Sequence, residues 1–456
     1  MKRLDRALAA FDSPLVFPSA LVVGVALRLV LWIALADVAL IADASVYVGM
    51  ALQLLRGEAF APYHPPGLSF LLLPAHAIFG DGERVARAAM IAIYVATSFV
   101  LRAQTRALSS PRAANLAVVC FALYPTCIWG SVEPLTQLPS AAYLLAIAWL
   151  APGLVTRPRV LAAAALGLAT GALILTRPSA LVFLVGVPLY LVARGAGLRS
   201  AGIAVGVATV LVGAWLAHAH AMTGRFVFVN DANSLNFFIG NNTYTPLYKT
   251  WWFGSHSAGT GGVPAAYTEL QREITAQPPA ERERLYRSEA LKHIAARPDL
   301  FVLRTLNRVR VYFALDSSTV GWMRLYGLVE TPAAIAIMAV EAVFYLAFLA
   351  GAVLAFLAPP SNAGGRERQV VAAIAGLLYA LPYFVAFSHP TYHFPVVILA
   401  LSLAAGFVDR VAREPAPGAF ARLWAAPGRR RWLLVAAALL VLVQLEWVVL
   451  NLDRLA

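Results

Sequence analysis

Long apolar runs alternate with short polar intervals along this chain. Crossing a bilayer as a helix takes roughly 17–25 predominantly apolar residues. Runs near 14–36, 84–107, 112–130, 134–152, 159–176, 178–194, 198–220, 331–357, 369–387, 390–408 and 432–451 therefore predict about eleven spans. The stretch 66–79 is apolar but too short to cross. It begins at a Pro-Pro-Gly break and ends at Gly80-Asp81-Gly82, which predicts a re-entrant or interfacial helix. Residues 44–55 have helical apolar spacing and stop at Gly57, which predicts another interfacial helix in the same loop, 37–83.

The long hydrophilic interval, 221–330, has three parts. Asn230-Asp231-Ala232-Asn233, Gly240-Asn241-Asn242 and Trp251-Trp252 mark 221–262 as loop and short strand. Residues 265–296 predict a charged helical hairpin around Pro278-Pro279. In 298–315, Arg304 and Arg308 are one helical turn apart among apolar residues. This predicts an interfacial helix with its arginines snorkelling to headgroups or an anionic substrate. The expected fold is thus all-α and membrane-integral. An N-terminal module (1–220) precedes a mixed extracytoplasmic cap (221–330) and a C-terminal set of spans (331–456).

Composition agrees: 60% of residues are hydrophobic and 13% charged, far from soluble proportions. The net charge of +13 points to topology and not to nucleic acid. With the N-terminus inside, Lys2, Arg3, Arg6, Arg102, Arg106, Arg112, Arg157, Arg159, Arg194, Arg199, Arg366, Arg368 and the arginines of 410–431 fall on the cytoplasmic side. All eight histidines then lie on or near the outer side, as do Asp43, Glu133 and the cap. The first apolar run is longer than a signal-peptide core and is read as a retained span. Cys120 and Cys127 are expected to be packed free thiols.

An Asp beside a membrane-buried region needs a partner or a task. Asp43 precedes the helix-patterned 44–55, so a helix cap is one reading. Tyr47 one turn on, and His64 held in the extended Tyr63-His64-Pro65-Pro66, favour a chemical one. Glu133, before Pro134, is either an acid at a helix start or a residue facing Asp43 across a site. Arg28 and Glu341 lie within spans and are expected to be structural, conceivably as a pair.

Read in order, these stretches carry a resemblance. The elements are the first-loop Asp with Tyr four residues later, Leu54-Leu55-Arg56-Gly57, Tyr63-His64-Pro65-Pro66-Gly67 and Phe79-Gly80. They continue with Ala122-Leu123-Tyr124-Pro125, Ser131-Val132-Glu133-Pro134, Leu175-Thr176-Arg177-Pro178, Gly240-Asn241-Asn242, Ala296-Arg297-Pro298-Asp299 and Tyr392-His393-Phe394-Pro395. The order resembles the GT-C superfamily, and within it the bacterial branch related to protein O-mannosyltransferases and the lipid A aminoarabinose transferase.

The resemblance implies an inverting transfer of a sugar from a polyprenyl-phosphate donor to a hydroxyl of a glycolipid, polysaccharide or protein. It places this at the outer face of a bacterial inner membrane. Asp43 inherits the role of general base. The departing phosphate needs donors or cations. His64 stands where some relatives have Lys and is the first such contact, although a histidine carries full charge only below about pH 6.5. Relatives often have a Glu after the Asp and an Arg before the Tyr, where this chain has Ala44 and Val46, and an Arg where it has Thr391. The candidates for the cationic duty are therefore Arg84 and Arg87, Arg177, Lys249, and His389 and His393 beside Tyr392. Tyr47, Glu133, Asn241 and Lys249 are assigned to acceptor or sugar. No metal is expected to be required. A divalent ion between Asp43 and Glu133 is the alternative their ligand chemistry allows. The rival readings are a flippase for a lipid-linked saccharide, which predicts an internal repeat and a charged path through both leaflets, and a non-enzymatic scaffold.

Overall fold

The computed structural model describes residues 2–60, 62–247, 263–360, 363–413 and 424–450. The fold is helical, with no strand among the described residues. Among the described residues, eight helices are long and apolar enough to cross a membrane: Val16–Ala34, Glu83–Leu108, Gln137–Thr156, Gly197–Thr223, Thr331–Leu357, Ala363–Val385, Pro390–Arg413 and Pro427–Val449. Three other expected spans are present as shorter apolar helices, Pro111–Leu123, Val160–Thr176 and Pro178–Ala193. Tyr124 leaves helical geometry ahead of Pro125, as a residue before proline tends to, so 112–130 is two helices and not one. Cys120 and Cys127 therefore sit on different helices, both as free thiols.

Pro390–Arg413 is the axis of the bundle, with 78% of the residues in its apolar stretch buried, whereas in Pro427–Val449, at the edge, only 6% are. Glu83–Leu108 and Gln137–Thr156 pack beside the axis. In the first outer loop, Ala42–Arg56 and Gly67–Phe79 are the two short helices expected. The first ends in a Schellman turn: Gly57 takes a left-handed φ of 67°, its N–H donates to Leu54 and that of Glu58 to Gln53.

Within 221–330 the helical hairpin is present as Ala265–Thr275 and Pro279–Ala296, sharing a small core of Phe238, Tyr267, Ile274, Tyr286 and Ala290. The strand expected in 221–262 is absent from its described part, which holds the helix Asn233–Gly240. Trp251 and Trp252 lie outside the described residues.

The helix Pro298–Tyr312 is turned opposite to expectation. Arg304 and Arg308 are buried, while Val302, Leu303 and Leu306 are exposed. Arg304 donates to the carbonyls of Asn242 and Thr245, and Arg308 to those of Gly240, Phe384 and Val385. Unpaired carbonyls at the ends of two helices are a better partner for a guanidinium than lipid, because they stay fixed and dry. Arg308 ties the cap to the bundle, while Arg304 binds within the cap itself. Nor do Arg28 and Glu341 pair. Arg28 donates to the carbonyls of Gly24, Ala122 and Phe121 and covers the Tyr94 ring at 3.4 Å. Glu341 accepts from the Thr126 N–H and hydroxyl.

Candidate active site

The first outer loop is held against the bundle at Gly67. A Cβ there would stand 2.3 Å from Thr176 Oγ1 and 2.6 Å from Thr176 N, so only glycine permits this approach. One contact thereby brings the His64-Pro65-Pro66 segment onto Thr176-Arg177, residues more than a hundred positions apart in sequence.

Asp43 lies in the first turn of Ala42–Arg56 and makes no capping bond, so the cap reading does not hold. Ala42 before it adopts a φ of 52°, unusual for a residue with a Cβ. Asp43 Oδ1 is 3.2 Å from His64 Nε2, and the side chain is 68% exposed. The hydrogen bond from His64 holds the carboxyl below the usual carboxylate range against an opposing effect of burial, with the charges of His64 and Arg177 adding to the lowering. The imidazole packs between Tyr47 and Tyr63, with ring centroids 5.0 and 5.1 Å away.

Asp43 opens onto a cavity of about 690 Å³ whose wall also includes Tyr47, Glu133, Arg177, His389 and Tyr392. Arg177 follows the helix Val160–Thr176. Its guanidinium sits 5.2 Å from the Tyr392 ring, which in turn stacks on Tyr383 at 4.8 Å. Arg177 Nε has no hydrogen-bond partner, and no carboxylate among the described residues is within ion-pair distance. Burial raises the Tyr47 phenol, so it stays protonated as a hydroxyl donor. His389 accepts a 3.2 Å bond from the Thr391 N–H through Nδ1.

Of the other expected residues, His64, Arg87, His393 and Asn241 are placed outside the cavity wall. His64 backs Asp43 and is not in the cavity wall. Arg87 is fully buried, donating to the carbonyls of Leu35 and Val38 and, at 3.4 Å, to Glu133. It braces the loop that leads to Asp43. Glu133 is raised by burial against the lowering charge of Arg87, and its second oxygen, Oε2, has no partner. His393 donates from Nδ1 to the Tyr312 carbonyl at 2.6 Å and stacks on Tyr345, away from the cavity. Asn241 is structural: its amide donates to the carbonyls of Phe237 and Val385 and its oxygen accepts from Arg308. Lys249 lies outside the described residues. No group of three metal-ligating side chains forms among the described residues. Asp43 and Glu133 both line the cavity.

Several wall residues were not singled out from the sequence: Trp129, Thr136, Gln137 and the segment contributing Ser317, Ser318, Trp322 and Tyr326. The one signal they carried was spacing, Trp129 one turn before Glu133 and Trp322 one turn before Tyr326.

Residues 63–218 match the family model described as dolichyl-phosphate-mannose-protein mannosyltransferase. The matched stretch, about a third of the chain, carries His64, Arg87, Glu133 and Arg177 and is similar to that family of membrane glycosyltransferases. Two solved structures of the Archaeoglobus fulgidus oligosaccharyltransferase are also similar. One is AglB in complex with an inhibitory peptide and a dolichol-phosphate, at 12% identity and a TM-score of 0.44 over 94% of this chain and 54% of that one. The other is an apo form, at 11% identity and a TM-score of 0.44 over 93% and 54%. The chain thus spans about half the length of these structures. Comparison with curated proteins gives no match.

Proposed function

We propose that the chain transfers a sugar from a polyprenyl-phosphate donor to an acceptor hydroxyl, with inversion, at the outer face of a bacterial cytoplasmic membrane. The observation that carries this reading is the meeting of Asp43 and Arg177 in one cavity wall. A carboxylate held ionised and a guanidinium without a carboxylate partner are the two charges such a transfer needs.

In the reaction the acceptor oxygen forms a bond to the anomeric carbon while the bond from that carbon to the phosphate oxygen breaks. The acceptor's proton passes to Asp43 as the new bond forms. Arg177 meets the charge growing on the leaving phosphate, with the hydroxyls of Tyr392 and Thr391 and the ring of His389 in the same wall. Leu315, Val320, Met338 and Val448 supply apolar wall suited to a prenyl chain. The acceptor is a glycolipid, a polysaccharide or a protein. Arg87 and His393 take no part in phosphate binding here.

Membranes carrying the protein are to be incubated with a panel of labelled polyprenyl-phosphate sugars. One of them is expected to be consumed by the wild type, yielding a product of inverted anomeric configuration. Arg177→Ala lowers kcat/KM by about 10²–10³, the usual scale for removing a donor to developing charge. Consumption of none, or a product of retained configuration, counts against the reading.

A further inference from the structure

One part of the cavity wall is untouched by this chemistry. Trp129 ends the short helix Pro125–Gly130, and Trp322 and Tyr326 lie one turn apart on and just beyond Ser318–Leu325. Their rings form a continuous run, Trp129 to Tyr326 at 5.9 Å and Trp322 to Tyr326 at 6.0 Å, with planes inclined by 36° and 37°. Trp322 and Tyr326 are half-buried and all three residues line the cavity.

Beside the rings, Trp129 Nε1, Glu133 Oε2 and Gln137 Oε1 are buried without a hydrogen-bond partner. Trp129 is 4% exposed and Glu133 3%. They are set by one turn, since the Glu133 N–H donates to the Trp129 carbonyl at 3.1 Å. Packing against Leu31, Leu35 and Val132 explains where the Trp129 ring sits. It does not explain a buried donor and two buried acceptors left unsatisfied on three side chains that line one cavity, an arrangement native proteins rarely keep without a use. Arg87 engages Glu133 through Oε1 and so fixes the carboxylate while leaving Oε2 open.

We infer that this wall is a subsite for a sugar ring: the C–H face of a pyranose lies on Tyr326 and Trp322, and its hydroxyls meet Trp129 Nε1, Glu133 Oε2 and Gln137 Oε1. The negative face of an aromatic ring attracts weakly positive C–H groups. A hydroxyl is both donor and acceptor, so it satisfies an indole N–H as readily as a carboxylate. A prenyl chain would bury those polar atoms unpaired. The inference rests on the transfer reading for its biological role, and the same chemistry has two sources, the donor's sugar and the sugar of a saccharide acceptor.

The test uses full-length protein in nanodiscs of phosphatidylethanolamine and phosphatidylglycerol. The probes are decaprenyl-phosphate hexoses, sugar-free decaprenyl phosphate, and octyl glycosides of the same hexoses beside octanol. Wild type is compared with Trp322→Leu, Tyr326→Leu and Tyr326→Phe, each checked for an unchanged thermal transition. At least one sugar is expected to bind more tightly than its sugar-free counterpart. That increment is expected to fall roughly three- to tenfold in the two Leu variants and to persist in Tyr326→Phe, which keeps the ring. An increment lost on the decaprenyl probes identifies the donor's sugar as occupant; one lost on the octyl glycosides alone identifies the acceptor's. Equal sugar-dependent binding in wild type and both Leu variants, or none in wild type, overturns the inference. Consumption of no polyprenyl-phosphate sugar by the wild type would remove the transfer reading without touching this binding result.

Discussion

Asp43 Oδ1 and His64 Nε2 are 3.2 Å apart, and the histidine stands behind the carboxylate and not in the cavity wall. The contact ties down one carboxylate oxygen of a residue that itself lines the cavity. Under the proposed transfer, this gives His64 the task of holding the carboxylate and not of contacting phosphate.

His64→Gln is therefore expected to lower kcat by about 10²-fold, the scale on which a misplaced group costs rate, with the donor KM nearly unchanged. His64→Lys, which restores a cation but not the ring between Tyr47 and Tyr63, should not recover it. Steady-state kinetics separates the two roles: a raised donor KM that Lys repairs would assign His64 to the phosphate.

The same contact has a pH signature. The folded carboxyl of Asp43 is depressed, so its contribution to stability is present above the ordinary carboxylate value. It is lost as pH falls through the lower, folded one. As pH falls below the ordinary carboxylate value of about 3.9, thermal stability should fall more steeply in wild type than in Asp43→Asn, as calorimetry in detergent would record. Parallel curves would mean the pair adds nothing to the folded state.

Gly67→Ala tests how the site is assembled. The added Cβ meets the Thr176 backbone, which cannot step aside, so the first outer loop must move away from Thr176-Arg177. Overpacking of this kind costs about 1–3 kcal/mol. Transfer should fall by more than the loss of folded protein accounts for, because Asp43 and Arg177 are drawn apart. Wild-type kinetics in the surviving folded fraction would show that the close approach is irrelevant to the site.

Arg308→Leu should loosen the cap. Three carbonyls and the Asn241 side chain lose a buried donor, and each buried acceptor left unsatisfied costs about 1–3 kcal/mol. Limited proteolysis should then cut within 221–330 while the spans remain intact. Resistance equal to wild type would return Arg308 to a surface role.

The hydrophobic pattern alone located the membrane helices, because span length is set by bilayer thickness and needs no tertiary knowledge. Asp43, Tyr47 and His64 were legible together because one short loop carries all three. Arg304 and Arg308 were misread because an amphipathic pattern says which faces differ but not which one faces water. Here the partners are carbonyls some sixty to eighty residues away in sequence. Arg28 and Glu341 invited pairing by charge, yet each found backbone or hydroxyl partners instead. Arg87 and His393 sat in the right sequence neighbourhoods with their polar atoms turned to carbonyls. The aromatic wall was hidden because Trp129 and Tyr326 meet only in three dimensions.

The claim that Asp43 is the base is met most directly by assaying Asp43→Asn with the consumed polyprenyl-phosphate sugar. The amide is nearly isosteric but takes up no proton at neutral pH, so inserted, folded protein with an unaltered affinity for decaprenyl phosphate and no measurable transfer is the expected result. Transfer at a rate comparable to wild type would contradict the account.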